Sequence, residues 1–127
     1  MLINWDKLPR VEGMRAGTSR AGICAEKMSA VLVKTSPSAE FDGKTHWHDN
    51  EQLLVMVSGT IRLRIDDKEF EAKQGDMVFF PPGSSHAAVG VGPEGAVYYE
   101  IFAPARPDQL PGWIGPSILR FDQKQEG

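Results

Sequence analysis

The residues of this sequence that could do chemistry at a defined spacing are its histidines, of which there are three. His46 and His48 are separated by one residue, so on a β-strand both side chains would point to the same face. His86 comes later, shortly after the turn-forming sequence Pro-Pro-Gly. Imidazole is the commonest protein ligand of metals, and two histidines from one strand with a third from a neighbouring strand can bind one face of an ion. The alternative interpretation is three unrelated histidines at the surface or in hydrogen bonds.

The segments that carry these histidines have the pattern of an all-β protein. Residues 60–66 read TIRLRID, in which aliphatic and polar residues alternate. We predict further short strands at 29–35, 51–57, 68–72, 77–80, 87–91 and 96–102. Turn signals such as Ser58-Gly59 separate the strands, and this spacing predicts a β-sandwich or β-barrel in a single domain. We expect residues 1–27 and 104–127 to be less regular and to wrap the barrel or a partner subunit.

Two segments around the histidines resemble the two sequence motifs of the cupin superfamily. They are residues 46–59, HWHDNEQLLVMVSG, and residues 75–86, GDMVFFPPGSSH. The motif positions of the family fall here on His46, His48, Gln52, Gly59, Gly75, Pro81, Gly83 and His86. The asparagine that often follows the second motif is replaced by Gly90. The resemblance covers roughly residues 28–105 and implies that residues 1–127 form a single-domain, all-β cupin barrel, a double-stranded β-helix or jelly roll.

The resemblance also implies one divalent transition metal ion per subunit, with nickel, iron, manganese and zinc as candidates. The implied ligands are His46, His48, Gln52 and His86. The commonest family pattern has glutamate at position 52, and here Glu51 is the neighbouring carboxylate. Strand parity favours Gln52, which would share a face with Leu54 and Met56, whereas Glu51 would point the other way. The alternative role of Gln52 is a hydrogen bond to a metal-bound water. A neutral amide ligand would leave both charges of the ion uncompensated and would favour anionic substrates or a bound hydroxide.

The last predicted strand adds candidate catalytic residues. Tyr98, Glu100 and Phe102 share one face of it, and Arg106 follows a proline-containing turn. If Glu100 faces the cavity, its carboxylate could act as a general base, and Arg106 could bind a substrate carboxylate through two hydrogen bonds. The alternatives are a Glu100 at the surface and an Arg106 that only fastens the C-terminal segment. The strand also resembles that of small cupins that open unsaturated uronate rings, where aspartate is typical at the place of Glu100; the matching positions are Glu100, Phe102, Pro104 and Arg106.

The resemblance leads to one leading hypothesis on function and two alternatives. The leading hypothesis is a metal-dependent enzyme of the lyase or isomerase type that acts on a small oxygenated, anionic metabolite such as an unsaturated uronate. The first alternative is a non-haem iron dioxygenase, for which three histidines also leave open coordination sites. The second is a non-catalytic, metal-dependent module that binds or senses a small ligand. The fold does not choose among them, because cupins support many chemistries.

Composition argues against several other classes of protein. A formal net charge of −3 with scattered basic residues predicts no nucleic-acid partner. The longest apolar run, residues 53–57, is far shorter than the roughly 20 residues that cross a bilayer, so we expect no membrane partner. The single Cys24 and the absence of a signal-peptide pattern predict a cytoplasmic location. Aromatic residues in the terminal segments, together with the family resemblance, predict a homodimer that takes a small-molecule substrate.

Overall fold

Strands account for most of the regular structure in the computed structural model, which describes residues 1–122. The strands are β1 Val11–Glu12, β2 Thr18–Cys24, β3 Ser29–Thr35, β4 His46–Trp47, β5 Glu51–Ile65, β6 Lys68–Lys73, β7 Met77–Phe80, β8 His86–Ala103 and β9 Arg120–Phe121. Two short 3-10 helices, Trp5–Lys7 and Pro107–Gln109, complete it. The described residues contain no helix long and apolar enough to cross a membrane. The prediction of an all-β fold is confirmed.

The two longest strands, β5 and β8, organise the sheet. They run antiparallel to each other, from the pair Glu51 and Ala103 to the pair Ile65 and His86. Strand β8 also pairs with β3 and β4, while β5 also pairs with β6 and β7. The register of β5 against β8 shifts between Met56 and Ser58, Gly59 and Ile61, and Arg62 and Leu63. Bulges of this kind bend a strand and increase its twist, so the sheet curls around an interior as a barrel requires.

Two of the predicted turns lie inside continuous strands, which corrects the sequence-based assignment. The predicted strands 51–57 and 60–66 belong to β5, and the predicted strands 87–91 and 96–102 belong to β8. Gly59 has a φ of +72° at a register shift, and a Cβ there would collide with the carbonyl oxygen of Gly95 on β8. The glycine therefore permits a bulge and a close strand approach, which the sequence does not distinguish from a hairpin turn.

The N-terminal region is more regular than the sequence predicted. It contains β2, which pairs along its whole length with β3. The buried positions of β2 are Thr18 and Ala21, which are three residues apart, so the strand lacks a clear alternation of period two. Residues 104–122 are irregular as expected, apart from the short helix Pro107–Gln109 and β9, and the remainder of the predicted segment, 123–127, lies outside the described residues.

Alternate side chains of the long strands fill the interior of the curled sheet. On β5, Gln52, Leu54 and Met56 are at most 4% exposed, whereas Glu51 is exposed. The apolar core comprises Val31, Val33, Leu54, Met56, Ile61, Leu63, Ala72, Val78, Phe80, Ala96, Tyr98 and Phe102. Among the buried polar side chains are all three histidines, so the candidate site lies inside the barrel rather than on its surface.

Candidate metal centre and adjoining cavity

The fold brings the three histidines together from two strands. His46 on β4 is the register partner of His86 at the start of β8, and their ring centroids are 4.6 Å apart. His48 follows β4 directly, and its ring centroid lies 5.0 Å from that of His86. All three side chains are buried. The arrangement matches the expectation that the His-x-His pair and the distant histidine face one another.

The Pro-Pro-Gly turn fixes the direction of His86. The amide of Ser84 donates to the carbonyl of Pro81 over 3.1 Å, and Gly83 has the positive φ of +78° that the turn requires. The same Ser84 then accepts a hydrogen bond at its carbonyl oxygen from Nδ1 of His86, over 2.9 Å. Because Nδ1 carries the proton in this contact, Nε2 of a neutral His86 presents a lone pair.

The ring nitrogens of the cluster are only partly paired. Nδ1 of His48 donates to the carbonyl oxygen of Asn50 over 3.1 Å. Nδ1 of His46 and Nε2 of His86 are buried and have no hydrogen-bond partner among residues 1–122. Buried polar atoms are normally paired with protein groups, water or ions. Two unpartnered ring nitrogens within one cluster therefore fit a bound cation or water.

Burial keeps the histidines neutral. It lowers the pKa of His46 to about 3, with a further contribution from the neighbouring His86 and His48. Burial, again with His48, lowers the pKa of His86 to about 4. The pKa of His48 is also lowered, mainly by burial. Neutral imidazole is the form that binds metal ions, so the cluster is ready to act as a ligand set at neutral pH.

Gln52 extends the cluster. Its side-chain nitrogen donates a hydrogen bond to Glu100, and its Oε1 lies 2.9 Å from Nε2 of His48. Since Nδ1 of a neutral His48 already carries the ring proton, two lone pairs face each other across this short distance. A cation that binds both atoms would resolve the conflict. Glu51 is exposed on the opposite face of β5, so the parity argument that favoured Gln52 agrees with the structure.

The chemistry of the donor set fits a metal ion, but the side chains would have to move to admit one. Among the described residues, no group of three or more histidine, cysteine, aspartate or glutamate side chains is arranged to hold a metal ion as it stands. Here the fourth donor is an amide, and it contacts His48 directly. Separation of these two side chains would be needed for an ion to enter between Gln52 and the histidines.

Glu100 faces the interior, which decides between the two orientations that the sequence left open. It lies on β8 opposite Leu54 and lines the same cavity as His46, His86 and Gln52. Burial raises the pKa of Glu100, and this effect exceeds the opposing influence of the nearby arginines and of the hydrogen bond from Gln52. A carboxyl group whose pKa is raised holds its proton to a higher pH than a free glutamate, which suits it to proton transfer.

Arg106 lines the cavity and also fastens the C-terminal segment. It is 6% exposed, and its Cζ lies 4.8 Å from the centroid of the Phe102 ring. Its Nε and Nη2 donate to the two carboxylate oxygens of Asp108, over 3.3 and 2.9 Å. Asp108 in turn accepts hydrogen bonds from Ser117 and from the amide of Ile118. The edge of Arg106 that was expected to bind a substrate carboxylate is thus occupied by Asp108, and Nη1 remains for a ligand.

The cavity next to the histidines is small, with a volume of about 70 Å³. Its polar wall includes Arg15 and Gln109, which the sequence analysis did not identify. Both belong to the segments that were predicted to be irregular, and neither belongs to a motif, so no sequence signal pointed to them. The side-chain oxygen of Gln109 is buried without a partner among the described residues. The cavity thus combines a cluster of neutral ligands with positive charge and a carboxyl group.

Comparisons with known proteins agree with this architecture. The sequence model of the family Cupin_2: Cupin domain matches residues 32–102. An RmlC-like cupin from Shewanella frigidimarina is 28% identical, with a TM-score of 0.69 over 81% of this chain and 89% of that chain. KdgF from Halomonas sp. is 24% identical, with a TM-score of 0.68 over 78% of this chain and 89% of that chain.

A longer protein contains the same fold. A variant of oxalate decarboxylase from Bacillus subtilis is 19% identical, with a TM-score of 0.68 over 80% of this chain but 29% of that protein. At these identities, KdgF and oxalate decarboxylase support the fold and not an activity. No curated protein sequence matches the chain. Because the family model covers more than half of the sequence, this protein is a member of the cupin family.

Proposed function

We propose that this cupin is a metal-dependent enzyme of the lyase or isomerase type that acts on a small oxygenated carboxylate, such as an unsaturated uronate. The observation that carries the proposal is the convergence of neutral imidazoles and the Gln52 oxygen next to the partly buried carboxyl group of Glu100. One divalent transition ion, with nickel, iron, manganese and zinc as candidates, would be held by His46, His48, Gln52 and His86. Oxalate decarboxylase from Bacillus subtilis, which shares the fold, has Mn(II) centres.

The residues around the centre have complementary roles in this proposal. A bound ion would polarise a hydroxyl or carbonyl oxygen of the substrate. Glu100 would take up or return a proton, since its carboxyl group lines the cavity and burial raises its pKa. The hydrogen bond from Gln52 orients Glu100 towards the ligand cluster. Arg106 lines the wall beside its partner Asp108 and would offer its remaining Nη1 donor to an anionic substrate.

Metal analysis and substrate turnover test the proposal together. Mass spectrometry of the purified protein should find about one divalent metal ion per chain, and His48→Ala and His86→Ala should lose it. The metal-loaded protein should then consume unsaturated uronates. The loss of ultraviolet absorbance by the unsaturated ring measures this turnover. Full metal occupancy in both variants would overturn the metal centre. Oxygen uptake with a small acid would favour a dioxygenase, and tight binding without turnover would favour a sensor module.

We also propose a homodimer, formed through an exposed apolar face of the sheet. Val57, Met77 and Phe79 are 40%, 60% and 49% exposed on the outer side of β5 and β7. In the strand register, Phe79 lies beside Leu53 and Met77 beside Val55, so the apolar side chains form one continuous patch. Sedimentation should give the mass of a dimer, and Met77→Lys with Phe79→Lys should shift it to a monomer. A monomeric wild-type protein would contradict the proposal.

A further inference from the structure

Arg15 is a half-buried cation that has no counterion among residues 1–122. It lies in the segment between β1 and β2, and its Cζ is 4.7 Å from the centroid of the Phe41 ring. Stacking on an aromatic ring occupies the flat face of a guanidinium group and leaves its in-plane N–H donors free. Within residues 1–122, no hydrogen bond or ion pair engages these donors. A guanidinium group that is partly removed from water and unpaired is typical of an anion-binding position.

The other two arginines of this region are already engaged. Arg106 forms its paired hydrogen bonds with Asp108, and Arg20 donates through Nε to the carbonyl oxygen of Gln109 over 3.0 Å. Their positions are therefore fixed by the fold. Of the two arginines in the cavity wall, Arg15 and Arg106, Arg15 is the one whose side-chain donors no described residue engages.

The location of Arg15 places these free donors on the boundary between two spaces. Met14 and Arg15 line both the inner cavity of about 70 Å³ and an outer pocket of about 300 Å³. The outer pocket is also lined by two aromatic rings, by Lys44 and by two carboxylates, those of Glu40 and Asp42. A single water takes about 30 Å³ in the liquid, so the inner cavity holds only a few atoms of a substrate. A larger substrate would need to extend past Arg15 into the outer pocket.

The charges on the inner side of this boundary favour an anion. Two arginines, Arg15 and Arg106, line the inner cavity with one carboxyl group, that of Glu100, while Asp108 is paired with Arg106. The proposed metal ligands are all neutral. The positive charge of Arg15 acts on both His46 and Glu100, so it lies close to both ends of the proposed site. An anionic group bound by Arg15 would therefore sit near the reacting end of a substrate while remaining outside the ligand cluster.

We propose that Arg15 binds the substrate carboxylate and thereby selects carboxylates over neutral analogues of the same shape. The inference rests on the proposed function, because it assumes that the substrate reacts beside the histidine cluster. The N-terminal segment would then have a role in specificity. The substrate would lie with its carboxylate at Arg15 and its reacting atoms between Glu100 and the histidines. Arg106 contributes through its remaining Nη1 donor and its charge.

Calorimetric titration of the metal-loaded protein tests this assignment. The probes are three acids, an unsaturated uronate monosaccharide, pyruvate and malonate, each compared with the corresponding amide. The wild-type protein should bind at least one acid roughly tenfold more tightly than its amide, as expected for hydrogen bonds to a charged group. Arg15→Gln should lose most of this preference, and Arg15→Lys should keep part of it. Metal content should not change in either variant.

Arg62→Gln is the matched control, because Arg62 lies on the outer face of β5 beside Glu69. It should leave the ratio of acid to amide affinity unchanged. An Arg15→Gln variant that keeps the full preference of the wild-type protein would overturn the role of Arg15 while leaving the proposed function intact. A wild-type protein that binds metal but prefers none of the acids would overturn both the role of Arg15 and the proposed carboxylate substrate.

Discussion

Gln52 donates a hydrogen bond from its side-chain nitrogen to the carboxyl group of Glu100, and so connects the candidate base to the histidine cluster. Its oxygen lies against Nε2 of His48. Rotation of the amide by half a turn would pair its N–H with a neutral His48, but would then require a proton on Glu100. The orientation of this one amide thus links a cation at the histidines to an acceptor oxygen on Glu100.

The first prediction compares Gln52 with its neighbour Glu51. Gln52→Ala should weaken metal binding by roughly tenfold or more, since it removes an inward-facing oxygen donor. Glu51→Ala should have little effect, because Glu51 points to the outer face of the same strand. Competition with a chelator of known affinity measures the metal affinity of both variants. The opposite ranking would show that the carboxylate, and not the amide, binds the ion.

The second prediction concerns Glu100→Gln, which keeps the size of the side chain and removes the proton-transferring group. Turnover should fall by roughly 10² to 10⁴, the usual contribution of a general acid or base. Metal content should remain that of the wild-type protein, because Glu100 contacts the ligand Gln52 and is not itself in the proposed ligand set. Steady-state kinetics and metal analysis of the same preparation provide the two readouts. Unchanged turnover would exclude proton transfer by Glu100.

The third prediction concerns the buried ion pair of Arg106 and Asp108, whose side chains are 6% and 2% exposed. Asp108→Ala should lower the free energy of unfolding by about 3–5 kcal/mol, because it leaves a buried guanidinium group without its partner. The C-terminal segment also loses the acceptor for Ser117 and Ile118. Urea denaturation measures the change.

An exposed pair provides the control for this measurement. Glu69 contacts Arg64 at 3.2 Å, but both side chains are well exposed. Glu69→Gln should therefore cost about 0–1 kcal/mol, the range of surface ion pairs. Equal losses of stability in the two variants would contradict a structural role for the buried pair.

The fourth prediction is a loss of stability of the metal-free protein in mild acid. The pKa values of His46 and His86 are about 3 and about 4 in the folded chain, against about 6.5 in the unfolded chain. Between about pH 6.5 and 4, the unfolded chain therefore binds protons that the folded chain does not. The free energy of unfolding should fall with pH in this window, by up to about 1.4 kcal/mol per pH unit for each histidine.

Glu100 complicates this pH dependence in a way that a variant can remove. Its pKa is raised by burial, so its contribution to stability is present at low pH and lost as pH rises, opposite in sign to that of the histidines. In the Glu100→Gln variant, the free energy of unfolding should therefore fall more steeply as the pH is lowered. Urea denaturation of chelator-treated protein at several pH values gives the slope, and His86→Gln should reduce it. In the Glu100→Gln variant, a profile that stays flat above pH 4 would contradict neutral, buried histidines.

Much of the candidate site could be predicted from the sequence because strand alternation is a local property. The two motifs predicted that the three histidines lie together. Strand parity predicted that Gln52 points inward and Glu51 outward. The Pro-Pro-Gly turn before His86 was also readable, since proline and glycine restrict or permit particular backbone angles. These inferences needed only neighbouring residues, and the fold agrees with them.

Other features required the tertiary structure, because they depend on residues that are distant in the chain. Alternation shows which side chains share a face of a strand, but not which face points to the interior. The direction of the Glu100 side chain therefore became clear only from the pairing of β8 with β5. The partner of Arg106 and the free donors of Arg15 depend on how irregular segments cross the barrel. Local patterns predicted the candidate ligands and the strand type, whereas long-range register decided which charges face the cavity.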